Sequence, residues 1–483
     1  MRRYIVTILV GLMACAAFAQ QPISLYYMDN IPQTSALNPA RQPRANGYFA
    51  IPGTNVNFML ETNLMLKEFF QENDSVWVTP LSHEFDYAKF HKRFKNGARL
   101  RPNVDVSLFN MGWRGKKGYW TIGVNERVQS NVALPSAIFN MMDNGLAPGT
   151  TLNFANMRVN AKVFHEISVG YCRNVTEQLT IGGRVKYLSG IGAIKTDFQK
   201  FELTTGRDIW ELEVEGGIYT SLPMIKMEAN EDGTVNFDSV ATKELEMKDI
   251  VNLVIPFVHN PGAAIDFGFD FKINENFSFS AAVNDLGFIA WTNELNSINV
   301  NGGYQFEGLQ MDVSDIKNID YDEALNNMVD SIKSCMMPTL SRDVFTTALN
   351  PNIFIGAAYT PTHYLTIGLL SKTTILNKTA TQDFDLSFNL NPYKGFSFMT
   401  GLDYNVKGHM SANFGWSVKL SFLQLYMMTD YVPVAFRNVK IESDDSIFLP
   451  NNTGDFNIAL GLNLIFGAKG YRDRPMINAY SDF

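Results

Sequence analysis

Between Ala264 and Phe466 the chain repeats one pattern: an apolar side chain alternates with a small or polar one for nine or more residues, and a turn follows. The clearest copy is Ile265-Asp266-Phe267-Gly268-Phe269-Asp270-Phe271-Lys272-Ile273. A period of two puts the aromatic and branched residues on one face of an extended strand and Asp, Gly and Lys on the other. A strand so divided lies between two different solvents. Phe277 to Val283, Phe384 to Leu390, Phe396 to Val406, Phe414 to Phe422 and Phe456 to Phe466 read the same way. Their lengths suit a tilted bilayer crossing, which takes about 9–11 residues. The pattern predicts an all-β fold, a transmembrane antiparallel β-barrel of about fourteen strands.

The rest of the chain supplies the remaining strands and their interruptions. A first strand is predicted over Gly47 to Glu61, followed by an insertion over 63–101 with short helices at Leu64 to Glu72 and Tyr87 to Lys95. Hairpins follow at Val104 to Gly112 with Tyr119 to Val128, and at Ala161 to Cys172 with Leu179 to Leu188, across turns short enough for the periplasmic side of a barrel. Separate strands are expected at Ile194 to Leu203, Ile209 to Glu215 and Ile218 to Met227. Polar insertions are read at 229–260 and 309–348, the latter with helical spacing of Leu325, Met328, Val329 and Ile332. Ile353 to Thr360 and Tyr364 to Thr373 resume the hairpins. No linker divides residues 46–466, and 467–483 form a tail. Tyr119, Trp120, Trp291, Trp416 and Tyr431 fall near strand ends, where an interfacial aromatic girdle is expected.

Residues 1–19 carry Arg2 and Arg3, an apolar run from Ile5 to Phe18 and Ala17-Phe18-Ala19, the three parts of a signal peptide. Export and a barrel together point to the outer membrane. Residues 20–45 show no alternation and hold Pro22, Pro32, Pro39 and Pro43, which suits an irregular segment folded into the barrel mouth as a plug. Aromatic residues make up 13% of the chain and the formal charge is −8, a balance that argues against nucleic acid as a partner.

Candidate chemistry is sparse. The lumen-facing parity collects Arg184 and Lys186, Asp266, Asp270 and Lys272, Asp403, and Lys419, which either pair across the lumen and hold the plug or guide a solute. A charge on the lipid side would cost about 2–4 kcal/mol at mid-membrane, so these positions turn inward. His83-Glu84-Phe85-Asp86 with His91 matches no metal template and reads as a solvated loop. A Ser with His165, His259 or His409 can be imagined, yet nothing in the sequence links them. No catalytic residue, metal or cofactor is expected.

Ile31-Pro32-Gln33, Leu37-Asn38-Pro39-Ala40, Leu179 to Gly190, Pro261 to Asp266 and Asn284-Asp285-Leu286-Gly287-Phe288-Ile289-Ala290-Trp291 resemble an uncharacterised family of outer-membrane proteins from Bacteroidetes-type bacteria. That family is itself similar to FadL-like fatty-acid transporter barrels and PorV-like barrels of type IX secretion. The resemblance implies a barrel with an N-terminal segment in the lumen, with Pro32, Gln33, Asn38, Pro39 and Ala40 as its plug motif. The expected function is a non-enzymatic barrel, embedded in outer-membrane lipid, that binds or passes a hydrophobic or amphipathic small molecule. The alternative is a barrel that presents its insertions to a secretion or surface protein.

Overall fold

The computed structural model describes residues 22–65, 68–73, 76–80, 82–242, 260–306, 336–376, 379–393, 395–406, 409–434, 436–442, 445–450 and 454–467. Fourteen antiparallel wall positions close into a barrel. They are β1 (Gly47–Ala50, resumed as Asn55–Thr62), β2 (Ala98–Arg114), β3 (Tyr119–Leu134), β4 (Arg158–Asn174), β5 (Leu179–Thr205), β6 (Trp210–Ser221, resumed as Pro261–Lys272) and β7 (Phe277–Trp291, resumed as Leu295–Phe306). There follow β8 (Thr339–Ser341, Phe345–Ala348 and Asn352–Thr362), β9 (Leu365–Leu376), β10 (Thr379–Tyr393), β11 (Phe396–Asn405), β12 (His409–Leu420), β13 (Leu423–Pro433) and β14 (Asp455–Phe466). Gly47↔Phe466 and Val56↔Leu460 pair the first strand with the last and remove the sheet edge.

Alternation decides which face meets which solvent. Val185, Phe267, Phe288 and Leu369 are each more than half exposed on the outer wall, while Asp266, Asp385, Ser387, Asn389 and Asn463 are fully buried inside it. A closed sheet wrapped in exposed apolar side chains has a hydrocarbon phase as its outer solvent. Turns at one end are tight, as at 115–118, 175–178 and 273–276; the other end carries the long connections. Among the described residues no helix is long and apolar enough to cross a membrane.

Several strand boundaries differ from the alternation reading. Ile194 to Leu203 is the upper half of the 27-residue β5, not a separate strand. Ile209 to Glu215 and only the first part of Ile218 to Met227 form the single stretch Trp210–Ser221 of β6, which pairs with the upper halves of β5 and β7, whereas Ile225 to Met227 belong to a separate hairpin outside the wall. The chain leaves the wall after Ser221 and returns at Pro261, so this excursion begins earlier than the polar composition suggests. Gln71–Asn73 pairs with Val76–Val78 as a small hairpin where a helix over Leu64 to Glu72 was expected. Helix α1 (Tyr87–Arg93) does form, capped by the Asp86 carboxylate, which accepts from Lys89 N at 2.8 Å. His91 Nδ1 lies 3.1 Å from Asp143 in α2 (Ser136–Asn144), so the His-rich stretch ties two loop helices together. The signal peptide, the helical spacing at 325–332 and the tail after Gly467 lie outside the described residues.

Three girdle residues point the wrong way for that role. Trp291 and Tyr119 are wholly buried and Tyr431 is 5% exposed, whereas Trp120 stands on the outer face at 40%. The cause for Trp291 and Tyr431 is the same device. The register between β6 and β7 shifts between Ile265 and Phe267, with Asp285 at φ +61°, and the register between β12 and β13 shifts between Ala412 and Phe414, with Tyr431 at φ +61°. A bulge lets two consecutive residues face inward and reverses the parity of all that follow. Trp291 is inward because Asn284 and Asp285 both are.

Candidate functional site

The lumen is occupied by residues 22–46. Two short 3₁₀ turns, Ile23–Tyr27 and Pro32–Ala36, bury Ile23, Leu25, Tyr26, Tyr27, Met28 and Ile31 against inward residues of the wall such as Phe354, Leu370, Met399 and Met428. Space for them comes from wall glycines: a Cβ at Gly182 would collide with the Pro39 carbonyl, at Gly268 with the Asn38 side chain, and at Gly368 with the Tyr27 ring. Asn38 closes a turn by accepting from Ala40 N at 2.9 Å and donates to Tyr26 Oη (2.9 Å) and to the Phe269 carbonyl (3.2 Å). Pro39 fixes its own φ, so the bend is rigid.

Hydrogen bonds pin this segment to strands around the wall. Tyr27 Oη lies 3.0 Å from the Ala357 and Leu369 carbonyls. Gln33 Nε2 donates to Asn55 and Asn463. The Asp430 carboxylate accepts from Ile23 N at 2.7 Å, and Arg41 pairs with Asp270 at 3.3 Å. Asn284 Nδ2 donates to the carbonyls of Ala36 (3.0 Å) and Leu37 (2.8 Å). Asn284→Ala is expected to leave both carbonyls to other partners and to destabilise the segment by about 1–3 kcal/mol, read as faster amide exchange over residues 36–40. Unchanged exchange there would show that Asn284 does not anchor it.

Beside the plug lies a buried charge network on five neighbouring strands, β3 to β7. Arg127 Nη1 reaches Glu166 at 2.6 Å, and its two terminal nitrogens grip Asp285 at 2.9 and 2.8 Å. Lys186 Nζ lies 2.6 Å from Asp285, 2.9 Å from Asp266 and 3.6 Å from Glu166. Arg184 pairs with Asp266 at 3.4 Å and donates to the Ser35 carbonyl of the plug at 2.9 Å. Asp105 of β2 sits 3.9 Å from Arg127 Nε at the network's edge. Buried charges persist only when paired in this way.

Above the network, toward the long-loop end, the lumen turns apolar. Phe164, Leu188, Ala264, Ile289, Trp291 and Phe345 form one buried cluster, with Leu295 packed against it. Trp291 stacks on Phe345 at 6.1 Å between centroids and donates its indole N–H to Thr347 at 2.9 Å. β6, β7 and β8 all break at this height, and a cavity of about 580 Å³ opens there between Ile225–Glu228, Thr292–Asn296 and Arg342.

Of the residues singled out from sequence, Arg184, Lys186 and Asp266 meet in the network; Asp270 meets Arg41 of the plug. Asp403 lies across the lumen, accepting from Asn413 Nδ2 at 3.0 Å. Lys272 and Lys419 end strands at the tight-turn side, away from both groups. Pro32, Gln33, Asn38, Pro39 and Ala40 all lie in the lumenal segment 22–46 and all are buried. Arg127, Glu166 and Asp285 escaped the sequence reading. Arg127 and Glu166 sat in strands judged by their apolar residues, and Asp285 sat where strict alternation would have pointed it outward.

Fold and lumen together define a transmembrane β-barrel of the outer-membrane type whose lumen holds its own N-terminal segment. The chain belongs to the family of unknown function DUF5723, whose match covers residues 39–430. No curated protein matches it. Among solved structures it is similar to the Ralstonia pickettii toluene transporter TbuX, at 9% identity over 91% of this chain and 95% of that one with a TM-score of 0.43. It is also similar to a Pseudomonas aeruginosa FadL homologue, at 8% identity over 93% and 100% with a TM-score of 0.44. A third is the P. putida toluene transporter TodX, at 8% identity over 89% and 93% with a TM-score of 0.36.

Proposed function

We propose that the barrel takes up a hydrophobic or amphipathic small molecule at its long-loop end and holds it against Trp291, with the plug controlling passage onward. The observation that carries this is Leu295, which lines the 580 Å³ mouth cavity and also packs on the apolar cluster around Trp291. An amphipathic molecule entering there meets Lys226, Glu228, Glu294 and Arg342 at the mouth and, at Leu295, the edge of the buried aromatic cluster. Such a site has a few polar groups to orient a ligand and apolar area to bind it, and since Trp291 is wholly buried the cluster parts to admit the ligand. The charge network and the plug close the lumen below, so onward movement requires the plug to shift.

Purified full-length protein in detergent is expected to bind an apolar naphthalene-type fluorescent probe saturably. Trp291→Ala should weaken that binding at least about tenfold, the equivalent of 1.4 kcal/mol, while the unheated protein keeps its folded gel mobility. No saturable binding by the unaltered protein, or equal binding by a folded Trp291→Ala variant, would contradict the proposal.

A further inference from the structure

Across the lumen from the charge network, Asp385 of β10, Asp403 of β11 and Asp430 of β13 lie beside the start of the plug, and none is more than 1% exposed. Neutral groups donate to all three. Asn413 Nδ2 donates to Asp385 and, at 3.0 Å, to Asp403, which also accepts from Tyr431 N at 3.4 Å. Asp430 accepts from Ile23 N at 2.7 Å, Ser24 N at 3.4 Å and Asn457 Nδ2 at 3.5 Å. Among the described residues none of the three forms an ion pair, whereas Glu166, Asp266 and Asp285 of the network each touch a Lys or Arg.

The surrounding charges do not make up the difference. Lys372 of β9 faces Asp403 and Asp430 from farther off and faces Asp383 as well. Arg101 of β2 pairs with Glu61, beside Asp383 and Asp455. Arg41 stands over the Tyr27 ring and pairs with Asp270. Tyr431 faces Asp403 and Asp430, and Tyr27 of the plug faces Asp385. Three ionised carboxylates side by side, with no cation paired to them, are too costly to bury.

Asp385 and Asp403 are moreover in hydrogen-bond contact with each other. Two ionised carboxylates have no hydrogen to share, whereas one proton makes a donor and an acceptor of the pair. Asp385 Oδ1, wholly buried and without a donor of its own, is the atom placed to carry that proton. Its loss puts one more negative charge beside Asp430, which holds the first two amides of the plug.

We propose that Asp385 and Asp403 share a proton while the plug is seated, and that loss of this proton as pH rises loosens the first turn of the plug, Ile23–Tyr27, from the wall. The seated pair holds a proton that solvated carboxyls give up, so the turn is held more firmly as pH falls. Residues 35–37 are anchored by Arg184 and Asn284 through bonds that need no such proton. The lock involves no residue of the mouth cavity, so it stands or falls independently of the uptake of an apolar molecule.

The test is amide exchange of the full-length protein in lipid nanodiscs at pH 6 and pH 9, with each rate divided by that of the unfolded sequence at the same pH. Protection over Ile23 to Tyr27 is expected to be at least about tenfold higher at pH 6, the effect of one proton over one pH unit, while protection over residues 36–40 stays level. Asp403→Asn supplies the shared hydrogen permanently, since its amide can donate to Asp385, and should give equal protection at both pH values. Asp385→Asn serves the same purpose if Asp403→Asn lacks folded gel mobility. Equal protection at pH 6 and pH 9 in the unaltered protein would overturn the lock. A pH effect that persists in these variants would overturn its seat at Asp385 and Asp403. Protection lost to a chelator at pH 6 would put a metal cation where the proton is inferred and overturn it as well.

Discussion

Arg127→Ala is expected to lower the unfolding free energy of the barrel by about 3–5 kcal/mol, because it strands Glu166 and Asp285 in a buried site with Lys186 as their remaining close cation. The size of the loss comes less from the missing attraction than from leaving carboxylates desolvated and unpaired. Arg127→Lys should recover only part of it, since a point charge cannot grip Glu166 and both Asp285 oxygens at once. Neutralising the partners tests the cause: Arg127→Ala combined with Asp285→Asn should be less unstable than the sum of the two single changes. Urea unfolding in lipid vesicles, followed by loss of the folded gel mobility, measures all four. A loss below about 1 kcal/mol for Arg127→Ala would mean that the network is solvated and does not hold the wall together.

Gly182→Val is expected to unseat the plug while sparing the wall. The added Cβ meets the Pro39 carbonyl and the adjoining Ala40 nitrogen, which are backbone atoms and cannot rotate aside. Forcing extra carbon into a packed site costs about 1–3 kcal/mol, and the plug, held by scattered hydrogen bonds, can relieve that cost by moving whereas the closed sheet cannot. Residues 22–46 should then become protease-sensitive, and ionic current should exceed that of the unaltered protein because the lumen itself opens. Gly183→Val is the control, since its Cβ finds only ordinary contacts at 3.6 Å and beyond. Equal protease resistance of Gly182→Val and Gly183→Val would show that close packing at Pro39 does not position the plug.

Much of the barrel was legible in the sequence because one side of the wall faces hydrocarbon. Ile265 to Ile273 and Phe456 to Phe466 alternate so regularly that strand, face and membrane follow from the period alone. The count of about fourteen strands agrees with the structure even though several boundaries moved. The misreadings have a common origin in departures from that period. Strand β6 is built from two pieces separated by 39 residues, and nothing local in Trp210–Ser221 announces that Pro261–Lys272 continues it. Bulges at Asp285 and Tyr431 reverse parity, which moved Trp291 and Tyr431 from the expected girdle to the interior. The lumen charges were visible singly, as Arg184, Lys186 and Asp266. Their assembly with Arg127, Glu166 and Asp285 depends on register across five strands, which no single strand encodes.

The central claim is that this chain crosses a bilayer as a closed barrel with one face in lipid and the other on a filled lumen. Nitroxide labels placed singly at each position from Ala263 to Lys272, in protein reconstituted into vesicles, test it most directly through collision with oxygen dissolved in the lipid. Accessibility to oxygen should rise at Ala263, Ile265, Phe267, Phe269 and Phe271 and fall at Ala264, Asp266, Gly268 and Asp270, with the period of two that the exposure pattern shows. Uniformly low accessibility along the strand, or a high value shared by both faces, would contradict a membrane-spanning wall.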